Sequence, residues 1–242
     1  LSQMKSPFIS GNNLTDFTNI GLQASGIFDK YQIKKNKIFS SEHNPTGIAL
    51  YSSSGGETQP QRGLVANNLI KIAANSSGTG ITFGASNTDL VYNSIWVNKG
   101  KAFYSYNLGA SNLVKNNIFQ CNDGYSIDIA TGNETTTFDY NDYFTQGIDF
   151  VKWDGTLYFS LFELQTETGT NANSFNLKPF FTNEMLTTAP FLNDLGDALS
   201  FISTDYFGDS RSDSPDPGAD EFTSGANSSP LAGTYTIGNE TR

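Results

Sequence analysis

The sequence contains little cysteine, little histidine and little positive charge. Its 242 residues include one cysteine, one histidine and 14 lysines and arginines against 24 aspartates and glutamates, for a formal net charge of −10. The single Cys121 excludes an internal disulfide, and the acidic balance argues against nucleic acid and anionic membrane surfaces as partners. No apolar stretch approaches the length of about 18 residues that a spanning helix needs, so no membrane insertion is expected.

Charged residues of both signs are scarce, at 16% of the chain. A repeat built of helices would space its apolar residues by three and four and would be rich in Ala, Leu, Glu and Lys. This chain has instead 23 glycines, and its apolar runs are short and bounded by Gly, Asn and Ser. Such a composition is typical of short strands joined by turns.

A seven-residue pattern, apolar-x-x-Asn-x-apolar-apolar, occurs five times, and a weaker sixth copy surrounds Asn12. The asparagines of the five copies, here called the frame asparagines, are Asn36, Asn67, Asn93, Asn116 and Asn141. From Asn12 onward, successive asparagines lie 24, 31, 26, 23 and 25 residues apart. A nearly constant period of that size indicates a stacked repeat.

A second short apolar segment follows each copy, at 47–50, 80–83, 102–105, 125–129 and 147–150. Two or three short strands in about 25 residues, without helices between them, predict an all-β fold in which each repeat is one coil of a parallel β-helix. The coils would stack at about 4.8 Å, the ordinary spacing of paired strands. A β-sandwich or an antiparallel barrel also uses short strands, but neither gives a reason for an asparagine in a fixed frame.

Equivalent residues of stacked coils lie above one another. We therefore expect the frame asparagines to form a structural ladder, in which each side-chain amide bonds to the next. Such a ladder satisfies buried polar groups that would otherwise cost about 1 to 3 kcal/mol each. The two apolar residues that end each copy do not alternate in and out. Either the chain bends there, or another part of the molecule covers the outer face of the strand.

The repeating sequence pattern ends near residue 150. Residues 1–150 are expected to hold the β-helix coils, and residues 151–222 to add terminal coils and a cap to the same domain. Residues 223–242, rich in Ser, Gly, Asn and Thr, are expected to be a linker or the start of a further β-rich unit. The chain is thus expected to be a piece of a longer parent whose other domains are its partners.

A short helix is predicted at 160–168. Ser160 and Glu163 have the spacing of a capping box, and Gly169 can end the helix. Apolar residues in and beside this segment could cover the last coil. They are Phe159, Leu161, Phe162 and Leu164.

Two later stretches carry a family resemblance. Residues 205–211 read Asp-Tyr-Phe-Gly-Asp-Ser-Arg, and residues 215–222 read Pro-Asp-Pro-Gly-Ala-Asp-Glu-Phe. With the asparagine coils, they resemble the C-terminal half of large secreted bacterial right-handed parallel β-helix proteins of the pectate-lyase-like superfamily. The resemblance implies a right-handed solenoid and export to the bacterial cell surface or medium. It implies no activity, because this fold serves lyases, hydrolases, adhesins and inert stalks.

The sequence does not contain the sets of residues that catalysis by such enzymes requires. Lyases acting on uronic acids need cationic groups, but the lysine-rich segment 34–37 is expected to be a solvated face. Glycoside hydrolysis needs two carboxylates across a cleft, about 5 to 9.5 Å apart. Asn-Thr-Asp at 87–89 matches one of four polygalacturonase-like motifs, and the others are absent. We interpret Asp89 as a turn residue and place His43, the only histidine, in a turn as well.

The candidate ligand-binding residues are Tyr104, Tyr106, Asp128 and Asp149. Both acids lie between apolar residues that are expected to point inward, so both should point outward on adjacent coils. The same column should hold Thr82 and Tyr104. Tyrosine rings offer flat faces for stacking on sugars, and neighbouring acids can accept hydroxyl hydrogen bonds or bind calcium. The acid-rich stretch 205–220 matches no EF-hand loop, so its acids are expected to form turns.

A structural repeat without a catalytic set leads to one functional expectation. The chain is expected to be a non-catalytic segment of a large exported surface protein, an adhesin or a spacer, with polysaccharide as its candidate ligand. No cofactor is expected, with calcium left open. The alternative is a polysaccharide lyase or glycoside hydrolase whose site lies partly in N-terminal coils outside this sequence.

Overall fold

The protein is a stack of coils with three faces. The structure, a computed structural model, describes residues 1–132 and 135–223. Each coil contributes one strand to each face, and strands of successive coils pair in parallel, while the last coil adds one further, antiparallel strand. The predicted parallel β-helix is therefore the observed fold.

The first face is a six-stranded sheet. Its strands are, in spatial order, β1 (Phe8–Ser10), β4 (Gln32–Lys34), β7 (Gly63–Ala66), β10 (Thr88–Val91), β12 (Leu113–Lys115) and β14 (Thr137–Asp139). The second face contains β2 (Asn13–Thr15), β5 (Lys37–Ser40), β8 (Leu69–Ile72), β15 (Asp142–Thr145) and the first halves of β11 (Ser94–Ser105) and β13 (Ile118–Ile129). The third face contains β3 (Ile20–Ser25), β6 (Thr46–Ser54), β9 (Gly78–Ser86), the second halves of β11 and β13, β16 (Val151–Trp153) and β17 (Thr156–Tyr158).

The second and third faces share two long strands, so they form one 11-stranded sheet. The corner between them is a column of glycines, Gly78, Gly100 and Gly124. The last two have φ of 125° and 133°, which side chains rarely adopt, and a Cβ at Gly100 would lie 2.0 Å from the carbonyl oxygen of Gly78. Glycine at this corner therefore lets β11 and β13 turn without breaking their pairing.

The core is built of apolar columns that point inward from each face. On the first face the column is Ile33, Val65, Leu90, Val114 and Phe138. On the second face it is Ile38, Ile70, Ile95, Phe119 and Tyr143. On the third face it is Ile48, Ile81, Phe103, Ile127 and Val151. Like residues stack on like, so every added coil buries apolar area against its neighbour.

A buried amide ladder runs between the first and second faces. Its members are Asn12, Asn36, Asn68, Asn93, Asn117 and Asn141. In each step, the Nδ2 of one asparagine donates to the Oδ1 of the next, at 2.8 to 3.0 Å. The ladder continues into a partial rung at 171–175, where Ser174 Oγ accepts from the backbone N–H of Asn141.

Two of the five frame asparagines do not belong to this ladder. Asn36, Asn93 and Asn141 do, but Asn67 and Asn116 lie one residue before it. Both occupy the left-handed turn, with φ of 53° and 57°, and their side chains bind residues outside the coils. The turn needs a positive φ, which asparagine tolerates better than most residues. In an Asn-Asn pair the first residue therefore suits the turn and the second suits the ladder, and the sequence pattern alone does not distinguish them.

Residues 176–223, the covering segment, pack on the outer surface of the second face. Leu69 of β8 contacts Met185 and Ala219, and Ile118 of β13 contacts Ala189 and Leu192. The segment is irregular except for a 3₁₀ turn, Pro190–Leu192. Of the two explanations for the adjacent apolar residues, an outer cover is therefore the observed one. The expected linker at 223–242 lies, except for Thr223, outside the described residues.

The predicted helix is α1 (Leu161–Thr168). Ser160 Oγ accepts from the N–H of Glu163, and Gly169 ends the helix in the left-handed conformation with φ of 65°. Leu164 is buried and Leu161 packs against the core. The other two apolar residues expected to cover the last coil do not: Phe159 and Phe162 are 62% and 78% exposed. The eight-residue helix therefore packs against the coils with one side only, and Leu164 is its buried residue.

Candidate functional site

The outer surface of the third face carries a polar column across four coils. Thr82 of β9 pairs with Tyr104 of β11, which pairs with Asp128 of β13, which pairs with Lys152 of β16. The predicted alignment of Thr82, Tyr104 and Asp128 is therefore confirmed. Strand alternation places all of them outward, because the residues on either side face the core.

Asp128 is tied to a lysine that the sequence argument did not single out. Lys101 Nζ lies 2.6 Å from Asp128 Oδ2 and 4.0 Å from the centroid of the Tyr104 ring. Asp128 is only 5% exposed. The ammonium group thus neutralises the carboxylate and holds the tyrosine ring in place. No sequence signal identified this partner, because a charged side chain on a strand has many possible partners until the register is known.

Asp149 does not join this column, and the prediction that placed it there was wrong. The expected strand at 147–150 is not formed, and the next strand on this face begins at Val151. Ile148, expected to point inward, is 86% exposed. Asp149 still lies on the same side of the molecule, since burial and then the charges of Asp149 and Asp128 raise the pKa of Tyr125. Residues 146–150 form no regular strand, and the inward positions of the next strand are filled by Val151 and Trp153.

Two tyrosines frame an open cleft beside this column. Tyr51 of β6 is 38% exposed, and Tyr106, which follows β11, is 75% exposed. The cleft measures about 540 Å³, and its other lining residues are mostly small, including Gly84, Ser86 and Gly109. Tyr106 was predicted from the sequence and Tyr51 was not. Continuing the alternation of inward Ile48 and Leu50 by one residue would have placed Tyr51 outward.

The lining of the open cleft contains no carboxylate, histidine or lysine. Within 1–132 and 135–223, no group of three or more His, Cys, Asp and Glu side chains could hold a metal ion. Cys121 is buried, and burial raises the pKa of its thiol to about 12, so it stays protonated. The cleft therefore offers flat rings, hydroxyls and backbone groups, which suit binding better than proton transfer.

Asp89 is not the turn residue that the sequence suggested. It lies in β10, nearly fully buried, and its Oδ1 accepts from Arg62 Nε at 2.7 Å. Gln59 donates to its other oxygen. Burial raises the pKa of Asp89, and the hydrogen bond from Arg62 opposes that shift. The carboxylate thus fastens the loop before β7 to the first face, which is a structural role.

Comparison with protein families agrees with the fold. A family model described as the right handed beta helix region matches residues 2–162. The match covers more than half of the chain, so the chain belongs to the right-handed β-helix family, and the predicted handedness is confirmed. No curated protein and no solved structure matched the chain. Across the two described ranges, no helix is long and apolar enough to cross a membrane.

Proposed function

We propose that this β-helix is a non-catalytic, glycan-binding segment of an exported surface protein, and that saccharides bind on its third face. The observation that carries the proposal is the pair of exposed tyrosines, Tyr51 and Tyr106, that line the open cleft. Exposed aromatic rings present apolar faces on which the C–H faces of sugar rings can stack, while hydroxyls around them bind sugar hydroxyls. Tyr104, which Lys101 contacts, extends this surface by one coil, because it pairs with Thr82 of the cleft lining.

The fold supports this use of the third face. The covering segment occupies the second face, and the first face carries the Arg62 loop, whereas the third face exposes Tyr51 and Tyr106. A rod of coils presents such side chains at regular intervals of about 4.8 Å along its axis. A linear polysaccharide lying along the axis would therefore meet successive coils. Solenoids commonly use such extended surfaces for binding.

One observation favours an enzyme as the second candidate. Asp128, Asp149 and Tyr125 lie close enough for the two carboxylates to raise the pKa of the phenol. A polysaccharide lyase or hydrolase could use such a group if further coils supplied the missing residues. Against this, Asp128 is already paired with Lys101 and is only 5% exposed.

A glycan array with and without calcium, followed by titration of the best ligand, tests the proposal. We expect saturable binding, no release of reducing or unsaturated ends, and a loss of about tenfold in affinity for Tyr106→Ala. Phe162→Ala is the matched control, because Phe162 is equally exposed but lies on α1. Turnover of any glycan would reject the non-catalytic role. Absence of binding across the array, or equal affinity of the Tyr106→Ala variant, would reject the site.

A further inference from the structure

A second cleft lies on another side of the molecule, between the second face and the covering segment. Its volume is about 460 Å³, and its walls include Trp96 and Gln120 from the coils and Lys178 and Phe180 from the chain that returns over them. A smaller cleft of about 230 Å³ adjoins it, sharing Trp96, Phe181 and Thr182 and adding Lys71. We call the two together the lateral groove. Its combined volume is in the range of ordinary ligand sites.

The floor of the lateral groove is one outward column of the second face. Lys71 of β8, Trp96 of β11 and Gln120 of β13 are direct neighbours in successive coils. Lys71 Nζ lies 5.8 Å from the centroid of the Trp96 ring. Stacking of coils thus aligns a cation, a large flat ring and an amide along the groove, at intervals of about 4.8 Å.

Gln120 has a hydrogen-bonding oxygen that the protein leaves unused. The residue is 5% exposed, and its Oε1 is buried without a partner among the described residues. Its Nε2 donates to Asn122 Oδ1 at 2.9 Å, which fixes the orientation of the amide. A buried acceptor without a donor is unfavourable, so an occupant of the groove with a hydroxyl or N–H would satisfy it.

The charge of the groove is opposite to that of the protein. Its lining includes Lys178 and Lys71 and no aspartate or glutamate, although the chain as a whole carries −10. Lys178 lies over the Phe180 ring, 4.9 Å from its centroid, and has no ion pair in the described part of the chain. Glu184, which follows Asn183 of the lining, is paired with Lys37, and this contact lowers its pKa. An anion is therefore the ligand that this lining favours.

We propose that the lateral groove binds an anionic saccharide, independently of the open cleft on the third face. The apolar face of a sugar ring packs on Trp96, a sugar hydroxyl donates to Gln120 Oε1, and the carboxylate or sulfate lies at Lys178. The remaining lining is rich in uncharged polar groups, including Gln146, Thr182 and Thr188, which suits a hydroxylated ligand better than an apolar acid.

Tryptophan fluorescence gives a local readout, because the chain contains only two tryptophans and the other, Trp153, is buried in the core. The titrants are trigalacturonate, a sulfated disaccharide and the neutral galactotriose. We expect saturable changes with one or both anionic sugars, weaker binding at high salt, and no change with the neutral sugar. The signal should disappear in Trp96→Phe and persist in Trp153→Phe. The two anionic titrants separate carboxylate from sulfate recognition.

The variants separate this site from the one on the third face. Lys178→Glu should weaken anionic binding by more than about tenfold, and Gln120→Leu should weaken it less. Lys30→Glu, at an exposed lysine elsewhere, makes the same change in net charge and should have no effect. Tyr106→Ala should leave lateral binding unchanged. Three outcomes would overturn the inference: equal binding of neutral and anionic sugars, no binding of either anionic sugar, or normal binding by a Lys178→Glu variant whose melting temperature is unchanged. None of them would contradict the proposed function of the third face.

Discussion

The coil stack and the covering segment are stabilised in different ways. In the stack, each stabilising contact recurs in the next coil, as the apolar columns and the amide ladder do. In residues 176–223 the contacts are made once each, by single side chains such as Arg211. When one of many repeated contacts is removed, the equivalent contacts in neighbouring coils still hold the stack together. When a contact that occurs only once is removed, no equivalent contact remains.

The neighbours Asn67 and Asn68 show this difference within two residues. Asn68 points inward and is one step of the ladder. Asn67 points outward, donates to Thr204 O at 2.8 Å and accepts from Arg211 Nη2 at 3.0 Å. One amide therefore joins coil to coil, and the next joins the coils to their cover.

Arg211→Ala should give the largest effect. The guanidinium donates to the backbone oxygens of Asp216 and Gly218, pairs with Glu221 and lies 4.1 Å from the centroid of the Tyr92 ring. Removing one partner of a buried ion pair costs about 3 to 5 kcal/mol. Denaturant unfolding measures the loss, and limited proteolysis should show that 176–223 is cleaved first. Arg211→Lys keeps the positive charge but not the planar guanidinium group, so its free energy of unfolding should fall by less. Equal unfolding of wild type and Arg211→Ala would show that the cover does not depend on this residue.

Asn93→Ala should interrupt the amide ladder and lower the free energy of unfolding by less than Arg211→Ala does. Asn93 Oδ1 accepts from both the backbone N–H and the Nδ2 of Asn68, so the substitution leaves two buried donors without an acceptor. We expect a loss of about 2 to 4 kcal/mol in the free energy of unfolding. Asn98→Ala is the control, since Asn98 lies at the outer edge of the coils and bonds to Ala74 O and Asn75. Similar losses in the two variants would contradict a special role for the ladder.

Asp142→Asn tests the contact between the last coil and the start of the cover, and it should stabilise the protein. Asp142 Oδ1 accepts from Leu177 N–H, but Oδ2 is buried without a partner. Burial raises the pKa of Asp142 from its ordinary value of 3.8 to about 8. The folded chain therefore keeps a proton that the unfolded chain releases, so native stability falls as pH rises from about 4 to about 8.

Thermal unfolding from pH 4 to pH 9 measures this effect. The variant has no such ionisation, so its advantage over wild type should grow across the window, by at most about 1.4 kcal/mol per pH unit. Asp154→Asn, in an exposed turn, is the matched control. A constant difference at every pH would mean that Asp142 is charged in the folded protein.

The coil stack could be predicted from the sequence because its signals repeat. The frame asparagines gave the period, and the capping pair Ser160 and Glu163 gave the helix. The one-residue error at Asn67 and Asn116 arose because both positions of an Asn-Asn pair suit asparagine, one by its tolerance of positive φ and one by its amide. Choosing the second residue at both sites gives ladder intervals of 24, 32, 25, 24 and 24, which is the more regular series.

The cover and both clefts could not be predicted in the same way. Contacts such as Asn67 to Arg211 join residues 144 apart and occur once, so no period reveals them. For the third face, Tyr104, Tyr106 and Asp128 were found by strand alternation. Asp149 was misplaced because the strand that would have carried it is not formed. Lys101 was missed because a charged side chain on a strand has many possible partners until the register is known.

Hydrogen exchange with and without a neutral oligosaccharide that binds tests most directly whether the third face is the glycan site. We expect slower exchange in peptides covering 51–54, 82–86 and 104–109, the residues around the open cleft, and unchanged exchange in β10 and β12 on the first face. Protection confined to the first face or to the covering segment, with the cleft peptides unaffected, would contradict the proposed site.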